Sequence, residues 1–344
     1  MKKVVKVTHI VSLLILASCD KILLYDEMPN NPVSNFEYLW TDFDRNYGGF
    51  IVKNIDWDSL YSIYRPQVYN VMSDEEFYQV ATGLLGHLND NHVGLFPTNP
   101  DLEMYVSGIL GKYERCNDFK MSVIKTNYLI EQYIYEYYII YGKLPGNIGY
   151  IHFQSFGDWV SFYTKAMDEI LNYLKDTKAM IVDIRMHEGG FDRESQYIAG
   201  RFASEKRLFM IVRLKDGPAH DDFTDPVYMY VEPETGYYYT KPVVLLTNRF
   251  SVSAAETFTL AMNTLDNVTQ IGDTTSGAFS DMIVKELPNG WGYSISIGQW
   301  NDKDDRNWEG IGIAPEILVE NDSAEVANGI DRALERSMDI LEGE

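Results

Sequence analysis

The sequence predicts an α/β protein with a helical N-terminal domain. Three observations lead there. Apolar residues recur at helical spacing from Phe36 to Leu88. From residue 148 onward, short apolar runs alternate with helical patterns. Two of those runs, Ala179–Ile184 and Pro242–Thr247, are apolar on both faces, as strands inside a covered parallel sheet are.

The elements follow in order. Phe36, Leu39, Trp40, Phe43 and Tyr47 mark a first helix, and Trp57, Leu60, Tyr61, Tyr64 and Val68 a second, which Pro66 ends or kinks. Ser73 with Glu76 is a capping box opening a third helix, whose face is Phe77, Val80, Leu84, Leu85 and Leu88. That helix runs out at Asn89-Asp90-Asn91-His92. The Tyr- and Ile-rich stretch 128–141 fits strand or helix equally. Ile148–Phe153, Trp159–Leu174 and Ala179–Ile184 form a βαβ unit with a parallel strand pair. Further strands are expected at Phe209–Leu214, Pro242–Thr247, Val268–Ile271, Met282–Leu287 and Tyr293–Ile297, with Asn289-Gly290 as a turn and Ser253–Met262 as a helix.

The chain divides into a leader (1–18), a tether (19–34), an N-terminal helical domain (35–96), a connecting segment (97–145), a core (146–330) and a C-terminal helix or tail (331–344). The leader has Lys2, Lys3 and Lys6 before a short apolar run, too short for a membrane span, and ends Leu16-Ala17-Ser18-Cys19. This resembles a bacterial lipobox, which implies lipidation at Cys19 and a cell-envelope location, periplasmic or surface-exposed. Cys116 is then the one remaining cysteine of two, so no intramolecular disulfide is expected. A formal charge of −22 disfavours nucleic acid or anionic lipid as partners, since both need clustered cations.

Three clusters could carry chemistry. In Thr247–Glu256 (TNRFSVSAAE) a buried strand stops and Ser253 sits where a helix begins, near free N–H groups and the positive helix end. Ser251 or Ser253 could equally be a simple helix cap. In Ile181–Phe191 (IVDIRMHEGGF) paired Gly189 and Gly190 follow a strand, so backbone N–H groups can approach a ligand closely. In His87–Leu95 (HLNDNHVGL) His92 lies just past a helix end. No His, Cys and carboxylate set has metal spacing, and neither a dinucleotide nor a Walker motif is present, so neither metal nor cofactor is expected.

Together LLGHLNDNHVGL, IVDIRMHEGG, PVVLLTNRFSVSAAE, IGDTTSGAFS and NWEGIGIAPEI, in that order, resemble the tail-specific (C-terminal processing) serine peptidases, and more closely their tricorn-protease-like branch. The resemblance implies a crotonase-like spiral core under a helical cap, a peptide or unfolded-protein substrate, and an acyl-enzyme mechanism. Ser253 falls on the nucleophile. Ala254 and either Gly189 or Gly190 fall on the oxyanion hole. Ala278 stands where the tail-specific branch has its Lys base, so the base implied is His92, as in the tricorn-like branch. Asn91 takes the place of a Ser before that His, and Glu309, ahead of Gly312-Ile313-Ala314-Pro315, matches an orienting Glu. The interval from Pro97 to Gly146 is too short for the PDZ domain many members carry. A rival expectation on the same fold is a non-catalytic lipoprotein that binds a peptide or a lipophile.

Overall fold

A computed structural model describes residues 29–111 and 117–343; the leader, Cys19 and Cys116 lie outside them. Helix α1 (Pro32–Asn46) begins within the stretch read as tether, with Pro32 at its first position and the Asn31 side chain accepting the Ser34 N–H at 3.0 Å. Helix α2 (Trp57–Tyr64) is capped by Asp56, and α3 (Asp74–Gly86) carries the expected capping box, Ser73 with Glu76. Strands β1 (Gly94–Phe96) and β2 (Tyr105–Val106) follow.

The ambiguous segment resolves into a hairpin, β3 (Glu131–Tyr135) and β4 (Ile139–Leu144). Then come β5 (Ile148–Phe153), α4 (Val160–Leu174), β6 (Ala179–Asp183), α5 (Asp192–Gly200), β7 (Arg207–Leu214), β8 (Val227–Val231), β9 (Val243–Thr247) and α6 (Ala254–Met262). The chain continues through β10 (Val268–Gly272), β11 (Met282–Glu286), β12 (Gly292–Ser296), β13 (Gly298–Asp302), β14 (Ile317–Leu318) and α7 (Arg332–Glu342).

The central sheet has seven strands in the order β14-β10-β9-β6-β5-β4-β3. Its middle is parallel, β5 with β6, β6 with β9 and β9 with β10, and the β3–β4 hairpin adds an antiparallel edge. Strands β6 and β9 are buried at every position, as their uninterrupted apolar runs require. No helix among the described residues is long and apolar enough to cross a membrane.

The N-terminal helices do not form a core of their own. Phe36, Leu39, Phe43, Trp57, Phe77 and Leu84 pack with Trp291, Tyr293 and Ile295 from the distant end of the chain. The seam is a second sheet, β11-β12-β1-β2, in which Gly94 pairs with Ser294. Full burial of each such apolar side chain is worth ~1.5–3 kcal/mol, so the helical domain depends on the β11–β12 hairpin for its stability.

Candidate active site

Two neighbouring parallel strands, β6 and β9, end side by side, and their exit loops are stitched together. The Asn248 side chain accepts the N–H groups of Met186 and Phe250, both at 3.1 Å. The Ser251 hydroxyl donates to the Ile184 carbonyl at 2.8 Å, and the Val252 N–H to the His187 carbonyl at 3.2 Å. Ser251 is therefore a buried strut. Ser253, the next polar residue, stands at the N-terminus of α6 with φ +57°. A non-glycine residue there is strained, which the surrounding bonds have to enforce.

Glu256 does much of that enforcing. It is fully buried and accepts four hydrogen bonds: from the Ser253 N–H at 3.2 Å, the Thr275 hydroxyl at 2.7 Å, and the Gly277 and Ala278 N–H groups at 2.6 and 2.7 Å. Burial raises its carboxyl to about 7 against the pull of those donors. Ala278, at the position where the resemblance places the Lys base of the tail-specific branch, is thus a backbone anchor of the Ser253 turn.

The glycine pair divides its work. The Gly189 N–H donates to His187 Nδ1 at 3.0 Å, so it is engaged. The N–H groups of Gly190 and Ala254 have no partner among the described residues. Gly189 lies against Ser253: a Cβ placed on it would sit 3.1 Å from Ser253 Cβ and 3.6 Å from Oγ. At Gly190, φ is +139° and a Cβ would lie 2.3 Å from the Phe156 backbone. Glycine is therefore obligatory there.

His92 is half-buried, and its Nδ1 is buried without a partner. Ligand atoms of His92, Asp90 and Glu309 lie within 4.8 Å of one another. Burial lowers the His92 imidazole below its ordinary value, while Asp90, Asp281 and Asp192 pull the other way. The Asp90 carboxylate accepts the His92 N–H at 2.8 Å and the buried Tyr47 hydroxyl at 3.0 Å. Glu309 accepts the Phe279 N–H at 2.5 Å and the Lys53 ammonium at 3.3 Å. Three carboxylate–imidazole ligands this close could in principle surround a cation, but Tyr47 and Lys53 already occupy oxygens of both carboxylates. Burial and Asp90 push the Glu309 carboxyl well up, with Lys53 opposing.

Glu256 and Glu309 thus hold three consecutive N–H groups, of residues 277, 278 and 279, from the two sides of one loop. That loop joins the Ser253 turn to the His92 cluster. No hydrogen bond links the Ser253 hydroxyl to His92 among the described residues. Asn91 stands apart from both: its amide donates to the Ser276 hydroxyl at 2.9 Å and carbonyl at 3.2 Å, and its oxygen accepts the Leu110 N–H at 2.9 Å. It fastens the His92 loop to the same 275–279 loop.

Lys53, Asp90 and the role of Glu256 were not read from the sequence. Glu256 alone left a signal there, as the acidic residue three places after Ser253.

Beside the Ser253 turn lies a cavity of about 490 Å³ whose walls include Phe119, Met121, Ile140, Phe250, His152, His187 and Glu188. Both imidazoles are buried, which lowers them to about 4 and about 3 respectively, so both are neutral near pH 7.

Comparison with known proteins matches residues 147–319 to peptidase family S41 and residues 29–86 to the tricorn protease C1 domain. The carboxy-terminal processing protease CtpA of Bacillus subtilis is 28% identical over 183 residues, which is 53% of this chain and 37% of that protein. A carboxyl-terminal-processing protease of Synechocystis is 25% identical over 205 residues, 45% of its length. The matched part thus spans less than half of these two relatives. A crystal structure of a putative peptidase from Parabacteroides merdae shares 30% identity with a TM-score of 0.79, covering 91% of this chain and 97% of that one. Mature CPAF complexed with lactacystin has the same fold at 10% identity, with a TM-score of 0.71 over 91% of this chain and 99% of its own. With the stitched strand ends, the glycine pair and the helix-entry serine all inside the matched segment, the chain belongs to peptidase family S41.

Proposed function

We propose that the protein is a serine peptidase that hydrolyses extracytoplasmic peptides or unfolded proteins through an acyl-enzyme, held to a bacterial membrane by a lipid on Cys19. The observation that carries this reading is the strained Ser253 beside two partnerless N–H groups, those of Ala254 and Gly190. A substrate carbonyl entering between them would be polarised, and the oxyanion formed on attack would be stabilised, each donor contributing ~3–4 kcal/mol in comparable sites.

His92 is the base in this reading. Being neutral at pH 7, it can take the Ser253 proton and return it to the leaving amine. Glu309 and Asp90 then face the imidazolium and stabilise it. The hydrogen bond from the Ser253 hydroxyl to His92 forms in the substrate complex, since such contacts are commonly loose without substrate. The cavity beside Val252 would take a largely apolar side chain of the substrate next to the bond cut, because most of its walls are apolar and its imidazoles uncharged, with Gln154 and Glu188 as its other polar groups.

The unmade contact between Ser253 and His92 is the one observation that favours the rival reading, a binding lipoprotein without catalysis. A fluorophosphonate probe separates the two. Ser253 should be labelled and a peptide library cleaved, with both lost in Ser253→Ala. Cleavage that survives the substitution, or a wild-type chain that neither reacts nor cleaves, would refute the peptidase. Lipidation is read separately, by the mass of the mature N-terminus with and without Cys19→Ala.

A further inference from the structure

We infer that Lys53, from the N-terminal domain, is a positioning residue of the catalytic unit, bracing the His92 loop and the Glu309 carboxylate in one fixed arrangement. This rests on the peptidase reading and deepens it. The Lys53 ammonium donates to the carbonyls of Leu88 and Asn89 at 2.8 and 2.9 Å and reaches Glu309 Oε1 at 3.3 Å. One cation therefore joins the segment that leads into His92 to the segment that carries Glu309, 256 residues further along than itself. Its side chain is 11% exposed, and the Glu309 side chain 4%.

The base of this brace is itself rigid. Lys53 sits in the turn after α1, where its N–H bonds the Gly49 carbonyl at 3.0 Å and the Ile55 N–H bonds that of Phe50 at 2.9 Å. The Phe50 ring packs 4.9 Å from Tyr47 and 5.2 Å from Trp57. Gly310 leaves the room required: a Cβ there would stand 3.4 Å from the ammonium and 3.1 Å from the Asn89 carbonyl.

The charge matters as well as the tether. Two buried carboxylates, Asp90 and Glu309, share this space, and two like charges so close resist joint ionisation. The Lys53 ammonium opposes that upward push on the Glu309 carboxyl and faces the same cluster as the imidazole. His92 is faced by Asp90 on its own loop, by Asp192 at the start of α5, by Asp281 before β11, and by Glu309; Lys53 is the cation that opposes them.

The test compares wild type with Lys53→Gln, which keeps an amide donor for the carbonyls but no charge, and Lys53→Arg, which keeps the charge. The readout is the rate of Ser253 phosphonylation by a fluorophosphonate across pH. Lys53→Gln should react about a hundredfold more slowly, the scale of a small misplacement of reacting groups, with its acid limb moved to higher pH; Lys53→Arg should recover most of the rate and the original limb. On a Glu309→Gln background, Lys53→Gln should add little. A wild-type rate in Lys53→Gln, a loss equal at every pH, or a full further loss in the double variant would overturn the inference. A readout independent of catalysis is the titration of isotope-labelled His92 in Ser253→Ala. Its midpoint should rise when Lys53→Gln is added, and an unmoved midpoint overturns the inference even if no variant reacts. A wild-type chain that no fluorophosphonate labels refutes the peptidase reading instead.

Discussion

Two buried glutamates meet the same loop from opposite sides, and they differ in what neutralises them. Glu256 is surrounded by three backbone N–H groups and one hydroxyl, all uncharged. Glu309 has one N–H, the Lys53 ammonium, and the like charge of Asp90 nearby. A carboxylate satisfied by fixed amides is a clamp whose surroundings do not change during a reaction. One held between a cation, another carboxylate and an imidazole is balanced to receive a charge. The two sites teach that equal burial can leave two acids in different electrostatic surroundings, set by the kind of partner each has.

The comparison breaks most readily at the clamp. Glu256→Ala leaves four buried donors unpaired, and urea unfolding should show a loss of about 3–5 kcal/mol, the scale of removing one side of a buried charged network. Glu256→Gln, which keeps an acceptor, should lose less. Glu309→Gln should act the other way round: kcat of peptide cleavage falling about 10²-fold, within the range of a lost acid–base partner, with the urea midpoint moving less than in Glu256→Ala. If both substitutions unfold the chain equally, the distinction between clamp and charge receiver fails.

Acid sharpens the same contrast. His152 and His187 are lowered in the folded state, to about 4 and about 3, so as pH falls below 6.5 the unfolded chain takes protons first and stability declines. Glu256, raised to about 7, works against this, because between pH 7 and 4.5 the folded chain is the one that binds its proton. Stability followed from pH 7 to 4 should therefore fall in the wild type and fall more steeply in Glu256→Gln. In the same range His92, lowered by burial, should stay neutral below its ordinary value, so the acid limb of kcat/KM should lie below pH 6.5. The smallest effect belongs to Asn91→Ala, which removes three hydrogen bonds at the loop junction. Calorimetry should show a destabilisation of about 1–3 kcal/mol, and the pH profile of cleavage should keep its shape.

The sheet and the first three helices were legible because burial on one or both faces leaves a period in the sequence. The β3–β4 hairpin was not. Its strand β3 lies at the sheet edge with Ile134 and Tyr133 exposed, so apolar residues fall on both faces and the alternation is lost. Ser253, His92 and Glu309 could be picked out as residues, each at the end of a recognisable run. Which of the Gly189 and Gly190 N–H groups is engaged could not, since the His187 ring that takes the Gly189 N–H meets it only in the fold. Lys53 left no trace at all. It lies in an irregular turn, and its partners are supplied by segments that meet only in the folded chain. Asn91 could be picked out by its place before His92, but its bonds to Ser276 arise only in the folded chain.

The pairing of Gly94 with Ser294 has a consequence for how the protein is made. The aromatic faces of the first helices are covered by Trp291, Tyr293 and Ile295, some two hundred residues downstream. During synthesis those faces wait, uncovered, until the ribosome has delivered the β11–β12 hairpin. Lys53 and His92 can meet Glu309 no sooner. The grouping of Ser253, His92 and Glu309 is therefore among the last features of the chain to take shape, because it needs residues from both ends of the sequence.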